Sequence, residues 1–412
     1  METPRPSLRE NLRSLPPATW VLFGGTFVNR LGTFVMPFIT LYLTQPEQGY
    51  SVPQAGLALA MYGIGGVAAQ FLGGWLADRI GRRNAIGFSM LGASVITLAL
   101  WQASSLLVIY ALMLLLALVA EMHRPAASAL IADLVPSKQR VTAFAVFRLA
   151  INVGWAFGLT LGGLLADASF SYLFVGDAAT SAAFGVISLI ALPHGTRTSR
   201  HEERHLQGAT RTILADRGFL LFLASVLIGA AIYLQNVSTF PLHVTEAGFS
   251  TSVYGALQAL NGVIVVLLEL PITSWTGRRS RTRMIALGSL LIGLSFASLT
   301  VARSIPALAA MILVWTLGEI IASPVSSAFV ADRSPEHTRG RYQASLGVMF
   351  ALGAVVGPTL GTLTYAYNPD VLWIGCGVAG VLSAGLALAA GRHPAPVREV
   401  DTAEVDTSGR SG

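Results

Sequence analysis

The sequence predicts an all-α membrane protein, with twelve transmembrane helices in two pseudo-symmetric six-helix bundles. Three observations carry the prediction. The 412 residues are 53% hydrophobic and 12% charged, with a mean hydropathy of +0.62, whereas a soluble domain carries about 25% charged residues. Apolar stretches of membrane-spanning length recur along the whole chain, and the basic residues gather on alternate connections between them. The second half of the chain repeats the first at a nearly constant offset.

Crossing a hydrocarbon core of about 30 Å takes roughly 20 apolar residues in a helix. Runs of that length predict α1 over 17–43, α2 over 51–77, α3 over 84–103, α4 over 105–132, α5 over 141–166 and α6 over 168–192. After a polar stretch come α7 over 216–243, α8 over 250–275, α9 over 283–301, α10 over 304–331, α11 over 339–366 and α12 over 370–391. The corresponding units are an N-terminal segment (1–16), a first bundle (17–192), a central loop (193–215), a second bundle (216–391) and a polar tail (392–412). The segment Met1–Pro17 is basic, but the apolar run that follows, Ala18 to Leu43, is too long for a signal-peptide core. It reads as a retained first helix. Several spans contain Gly and Pro, which membrane helices tolerate better than soluble ones.

Of the 27 Lys and Arg residues, Arg30, Arg124 and Arg148 lie inside spans and Arg303 lies in an odd-numbered connection. The other 23 fall in the N-terminal segment, the even-numbered connections or the tail. By the positive-inside rule this places both termini and the central loop in the cytoplasm. The net charge of +6 is therefore a topology signal, aided by anionic lipid, and nucleic acid is not expected as a partner. The single cysteine, Cys376, sits in an apolar run and reads as a small buried hydrophobe.

The repeat appears on shifting the chain by 199 residues. Pro125 then meets Pro324, Ala132-Asp133 meets Ala331-Asp332, and Pro136 and Arg140 meet Pro335 and Arg339. Further on, Gly154 and Gly158 meet Gly353 and Gly357, and Thr160-Leu161-Gly162 meets Thr359-Leu360-Gly361. A shift of 200 pairs Trp75, Arg79 and Arg83 with Trp275, Arg279 and Arg283. Halves with an even number of spans start from the same side of the membrane, so they are parallel repeats about an axis along the membrane normal. Two such halves can rock about a central site, which is the geometry of alternating access.

The connection after α2 reads Gly74-Trp-Leu-Ala-Asp78-Arg79-Ile-Gly81-Arg82-Arg83, an ungapped G-x-x-x-D-R-x-G-R-R. It resembles the signature loop of the major facilitator superfamily, and the likeness extends over the whole chain. Gly81 permits a tight turn, and Gly73 and Gly74 allow close helix approach. The resemblance implies that Asp78, Arg79, Arg82 and Arg83 latch the halves in the outward-facing state, with Asp133 at the end of α4 as a partner for Arg82 or Arg83. Enforcing topology is the plainer role of these arginines. The counterpart, Trp275-Thr-Gly-Arg-Arg-Ser-Arg-Thr-Arg283, keeps the basic residues without the Asp, so the latch is expected to be asymmetric.

Among subfamilies the chain is similar to the twelve-helix drug:proton antiporters. In α4 it has their Arg, at 124, but continues Pro125-Ala-Ala where they have x-x-Gln-Gly. In α5 Leu159 stands where their Pro is expected, and Gly357-Pro358 occupies the matching place in α11. The run Asn29 to Tyr42 also resembles the start of the proton-coupled peptide transporters, without that family's glutamate pair before the Arg.

An ionised side chain at mid-membrane costs about 2.5–3.5 kcal/mol on insertion scales, so each one needs a partner or a wet cavity. Asn29 and Arg30 lie in α1, Glu121, His123 and Arg124 in α4, and Arg148 and Asn152 in α5. Gln235 and Asn236 lie in α7, Gln258, Asn261 and Glu269 in α8, and Glu319 in α10. The interiors of α3, α9 and α12 hold none. In the superfamily α3, α6, α9 and α12 lie outside the cavity, and Asp177 in α6 is the exception to that division; it reads as a packing residue.

Glu319 near the middle of α10 is the first candidate for proton coupling, or for attracting a cationic substrate, against an ion pair with an Arg of another helix. Glu269 is a second acid, a gate partner or one end of an interhelix salt bridge. Glu121 and Arg124, three residues apart, can pair locally or act in transport. Arg30, with Asn29 beside it, either bonds Asp177 or a carbonyl or holds an anionic group of the substrate. Arg148 anchors near the gate. Tyr62, Trp155, Tyr233, Tyr254 and Met61 add aromatic and flexible contact suited to lipophilic substrates. With Asn152, Gln235, Asn236, Gln258 and Asn261 they are the cavity-lining candidates. His123 has no second His at a metal-binding spacing, so no metal is expected.

The sequence shows no nucleotide-binding loop and no nucleophile–base set on a common face, so neither an enzyme nor a cofactor is expected. It points to a secondary transporter, a multidrug-type antiporter coupling proton movement to efflux of lipophilic or cationic small molecules. The chain is expected as a monomer in a bacterial inner membrane. Proton-coupled import of a polar nutrient, such as a peptide or sugar, is the alternative; a non-transporting receptor or scaffold is the alternative of another class.

Overall fold

The computed structural model describes residues 12–136, 139–194, 213–334 and 339–393. Most of the expected N-terminal segment, most of the central loop and nearly all of the tail lie outside the described residues. Within them the chain is helical, without strands, and follows the predicted order. α2 is Val52–Ile80, α3 Arg82–Trp101, α5 Arg140–Ala168, α6 Ser171–Ala191, α8 Thr251–Thr276, α9 Arg281–Ala297, α10 Ile305–Arg333, α11 Arg339–Tyr367 and α12 Pro369–Ala390.

The other three spans, expected as single helices, are broken, and each has a proline shortly after a break. α1 consists of Pro17–Leu31 and Val35–Leu43. Pro37 cannot donate to the carbonyl of Thr33, and the freed amides of Phe34 and Val35 donate to Asp177 Oδ2 of α6, each at 3.2 Å. α4 consists of Leu106–Glu121 and His123–Leu134. Pro125 removes the bond to the Glu121 carbonyl and crowds it. α7 consists of Arg217–Tyr233, Gln235–Ser238 and Phe240–Glu246, with Pro241 after the second break. Pro324, the repeat partner of Pro125, leaves α10 continuous.

Caps set several helix starts. Ser51 and Gln54 form a reciprocal capping box on α2. Asp216 accepts from the amide of Phe219 on α7 at 2.9 Å. The Asn368 side chain accepts from the first two amides of α12.

The helices pack as two copies of one pattern. In the first half α2 packs on α4, α3 on α4 and α6, and α1 on α5 and α6. In the second half α8 packs on α10, α9 on α10 and α12, and α7 on α11 and α12. The repeated glycines explain the close fits: Gly154 and Gly158 of α5 lie against the backbone of α1, and Gly353 and Gly357 of α11 against Ala230 and Ala231 of α7. The halves join through α2 with α11 and α5 with α8, two pairings that exchange under the repeat, while α3, α6, α9 and α12 stay out of this interface among the described residues. Outward-facing positions such as Leu107 (77% exposed) and Leu270 (81%) are large and apolar, as a lipid-facing surface requires.

The halves meet most closely at the end away from the arginine-rich connections. There the second segment of α1 touches the last two segments of α7, and Phe38 lies edge-on to Tyr254 at 5.4 Å. The carboxylate of Asp167, at the end of α5, accepts from the amides of Thr251 (2.9 Å) and Ser252 (3.2 Å) at the start of α8. Between described residues, the one other polar contact joining the halves is Arg148 with Glu269, nearer the basic end.

Candidate functional site

A cavity of about 160 Å³ lies between the halves. α5 contributes Arg148, Asn152 and Trp155; α7 contributes Tyr233; α8 contributes Asn261, Gly262, Val265 and Glu269; α10 contributes Glu319, Ile320, Ser323 and Pro324. Glu319 is halfway along α10 and its two oxygens have separate neutral donors. Oε1 accepts from the Tyr233 hydroxyl at 3.3 Å and Oε2 from Asn261 Nδ2 at 3.0 Å. Asn261 Nδ2 also donates to Thr316 Oγ1 at 2.9 Å, and the Tyr233 ring packs on Trp315. Among the described residues no Arg, Lys or His lies within ion-pair distance of Glu319. On the basic-end side of the cavity, Arg148 Nη2 and Glu269 Oε1 pair at 2.7 Å, with 67% and 26% of their side chains accessible.

Glu319 also borders a second chamber, of about 210 Å³, inside the second half. This chamber is walled mainly by aliphatic groups of α7, α9, α10 and α11, with the hydroxyl residues Ser225, Ser289, Ser323, Ser326 and Ser327 among them. The carboxyl therefore stands between a polar compartment shared by the halves and an apolar one belonging to one half.

The charged residues of α1 and α4 form a different cluster. Asn29, Arg30, Tyr62, Glu121, His123 and Asp177 line a small cavity of about 30 Å³ within the first half, room for about one water. Glu121 pairs with Arg124 at 2.6 Å and lies 3.4 Å from the Tyr62 hydroxyl. Asn29 donates to Ser181 Oγ at 3.3 Å, and His123 Nδ1 bonds the Ala120 carbonyl at 2.5 Å. Arg30 is 5% exposed, and its Nε has no hydrogen-bond partner.

Four cavity candidates, Gln235, Asn236, Tyr254 and Gln258, stand at the closed end instead. Gln235 donates to the carbonyls of Ala231 and Gly357, both at 2.9 Å, and accepts from Ser238 and Thr239, which splints the first break of α7. The carbonyl of Asn236 accepts from Tyr254 and Gln258, both at 3.1 Å. The break turns Gln235 into the helix contacts, so a continuous-helix reading of α7 gives it the wrong face; Gln258, on the unbroken α8, bonds the Asn236 carbonyl beside the break. Tyr62 faces the small first-half cavity, not the central one.

The signature loop is compact. Gly81 has φ +91°, a conformation that suits glycine. Arg82 is buried, pairing with Asp78 at 2.5 Å and with Asp133 at 3.5 Å. Arg83 Nη2 lies 2.6 Å from His194 Nε2, and the Arg79 guanidinium sits over the Trp75 ring at 5.1 Å. Gly73 does pack closely, against Met122 and Pro125, whereas nothing lies where a side chain on Gly74 would begin. The second half copies part of this arrangement: Arg281 pairs with Asp332 at 2.5 Å, the repeat image of Arg82 with Asp133, and Arg279 covers Trp275 at 4.3 Å. Asp78 has no acidic counterpart: under the 199-residue shift it meets Gly277.

Sequence reasoning missed two acids. Asp167 makes the closing contact at α8, and Asp216 holds Arg333 in a buried ion pair at 2.5 Å. Both follow or precede a span, where a polar residue reads as ordinary loop.

Two six-helix bundles around a shared polar cavity define a polytopic membrane transporter of the alternating-access class. The Major Facilitator Superfamily model matches residues 22–267 and 221–409, and the chain belongs to that superfamily. It is 27% identical over 358 residues to an uncharacterized MFS-type transporter of Bacillus subtilis (strain 168), YqjV, covering 85% of this chain and 86% of that one. It is 28% identical over 408 residues to a Na(+), Li(+), K(+)/H(+) antiporter of Planococcus maritimus, covering 90% and 93%. It is 25% identical over 365 residues to the multidrug resistance protein MdtH of Edwardsiella ictaluri (strain 93-146), covering 86% and 90%. Among solved structures, a variant of the nucleoside transporter NupG superposes with TM-score 0.79 at 15% identity, covering 90% of this chain and 99% of that one. The peptide transporter POT in complex with sulfate superposes at 0.76 and 17%, covering 94% and 98%. These two likenesses concern the fold.

Proposed function

We propose that the chain is a proton-coupled antiporter that exports cationic or lipophilic small molecules by alternating access. Glu319 is the group at which proton and substrate compete. The observation that carries this reading is the position of Glu319: on the wall of the inter-half cavity, held by two neutral donors, without a cationic partner among the described residues. Such a carboxyl exchanges its proton for a cation without first breaking an ion pair. The apolar chamber on its other side suits a lipophilic substituent. The relatives named as a cation/proton antiporter and as a multidrug resistance protein support the same class of exchange.

In this reading the arginine-rich connections face the cytoplasm of a bacterial inner membrane, so the described conformation is closed outward and loads from inside. Glu269 and Arg148 border the loading side, and the signature loop with Asp133 stabilises the opposite conformation. Exchange of monovalent metal cations is the second reading, favoured by the antiporter relative and by the polar wall of the cavity.

The test is substrate-dependent proton flux in liposomes, comparing the wild type with Glu319→Gln. Glu319→Gln is expected to abolish coupled proton release and to leave the protein folded. Coupled flux that persists in the variant removes Glu319 from the mechanism. Uptake into everted vesicles with an acidic lumen fixes the direction: an exporter accumulates its substrate there.

A further inference from the structure

The formal charges around the central cavity identify the charge of the substrate. Three formally charged side chains line it: Arg148, Glu269 and Glu319. Arg148 and Glu269 neutralise each other at 2.7 Å. Glu319 has only the neutral donors Tyr233 and Asn261. The remaining intramembrane charges are set apart in the first half, where Glu121 occupies Arg124.

We propose that the cavity carries one unneutralised negative charge and therefore exchanges one proton for one monovalent cation, an electroneutral cycle in which dications and neutral compounds are poor cargo. The inference rests on the reading of Glu319 as the exchanging acid and adds the cargo's charge and the stoichiometry. Leaving an ionised carboxyl uncompensated in a low-dielectric site is costly, and an excess positive charge is equally so. One proton and one monocation are thus equivalent fillings, and either leaves the cavity neutral. The Arg148–Glu269 bridge is the counting element: it removes one acid from play. An alkali ion and an organic cation share this chemistry and are separated by experiment.

The experiment uses the full chain in liposomes, with a pH-sensitive dye to read protons and solid-supported-membrane currents to read net charge. Sodium and tetraphenylphosphonium are the monovalent probes, and methyl viologen is the dication. A dye signal without current for either monovalent probe is the expected result, and which of the two responds names the source. A dye signal accompanied by steady current, or methyl viologen exchanged as fast, overturns the charge count while leaving proton coupling intact. No dye signal with any probe overturns the proposed function itself.

Two variants test the bridge. Glu269→Gln leaves Arg148 to offset Glu319, so binding of the active probe falls by about tenfold or more although Glu319 is untouched. Adding Arg148→Gln restores the single negative charge, and binding recovers to within about threefold of wild type. Full binding by Glu269→Gln, or no recovery in the double variant when both proteins melt like the wild type, overturns the counting role.

Discussion

Asp216 and Arg333 illustrate how an acid outside the transport pathway constrains the bundle. Their side chains are 1% and 6% exposed, and Arg333 also bonds the His393 carbonyl at 3.0 Å, tying together α7, α10 and the residues just after α12. Removing one member of such a pair leaves the other charged and buried. Arg333→Ala is expected to destabilise the folded chain by about 3–5 kcal/mol, read as a lowered thermal-unfolding midpoint in detergent, with residual transport per folded molecule retained. At this scale the sequence was legible where a carboxyl interrupts an apolar run, as Glu319 and Glu269 do. It was illegible for Asp167 and Asp216, because a polar residue at a span's end has an ordinary explanation. It misdirected Gln235 and Asn236, whose orientation depends on a helix break that hydropathy does not register, and Gln258, which bonds the Asn236 carbonyl beside that break.

At the scale of elements, each of the three broken helices has a proline shortly after a break, and in α1 and α7 a side chain serves backbone groups beside a break. Asp177 is the clearest substitute, serving the amides of Phe34 and Val35 from another helix. Asp177→Ala is expected to cost about 1–3 kcal/mol per unsatisfied amide and to raise hydrogen exchange at residues 34 and 35 selectively, leaving the first segment of α1 protected. Exchange that is uniform along α1 would show the break to be held by packing alone. Span positions were readable from the sequence within a few residues, since hydropathy reports the bilayer thickness. The breaks were not, although Pro37, Pro125 and Pro241 were visible, because Pro271 and Pro358 sit in helices that stay continuous and only tertiary partners distinguish the two outcomes.

Over the whole molecule, α5 and α8 act as a two-point strap between the halves, with Asp167 at the closed end and Arg148–Glu269 toward the basic end. Asp167→Ala removes two inter-half hydrogen bonds and is expected to shift the population toward the state open at that end. Spin labels flanking the closed end should report longer distances in the variant. An unchanged distance distribution would assign closure to the apolar contact of Phe38 with Tyr254. The paired arrangement of the halves was legible in the 199-residue offset, which predicts that α5 and α11, and α2 and α8, are equivalent. Which equivalents touch across the interface was not, because a sequence repeat specifies symmetry without specifying the face on which copies meet.

The joining surfaces are thus interchangeable while the charged side chains are not. Glu319 corresponds to Ala120, and Arg30 to Gly229, under the same offset. A tandem of two first halves would set α2 of each copy against α5 of the other, the equivalents of α2 with α11 and of α8 with α5, and so should assemble as a bilayer-embedded dimer of bundles. It would lack Glu319, so on the proposed mechanism the paired bundles could rock but would carry no cargo.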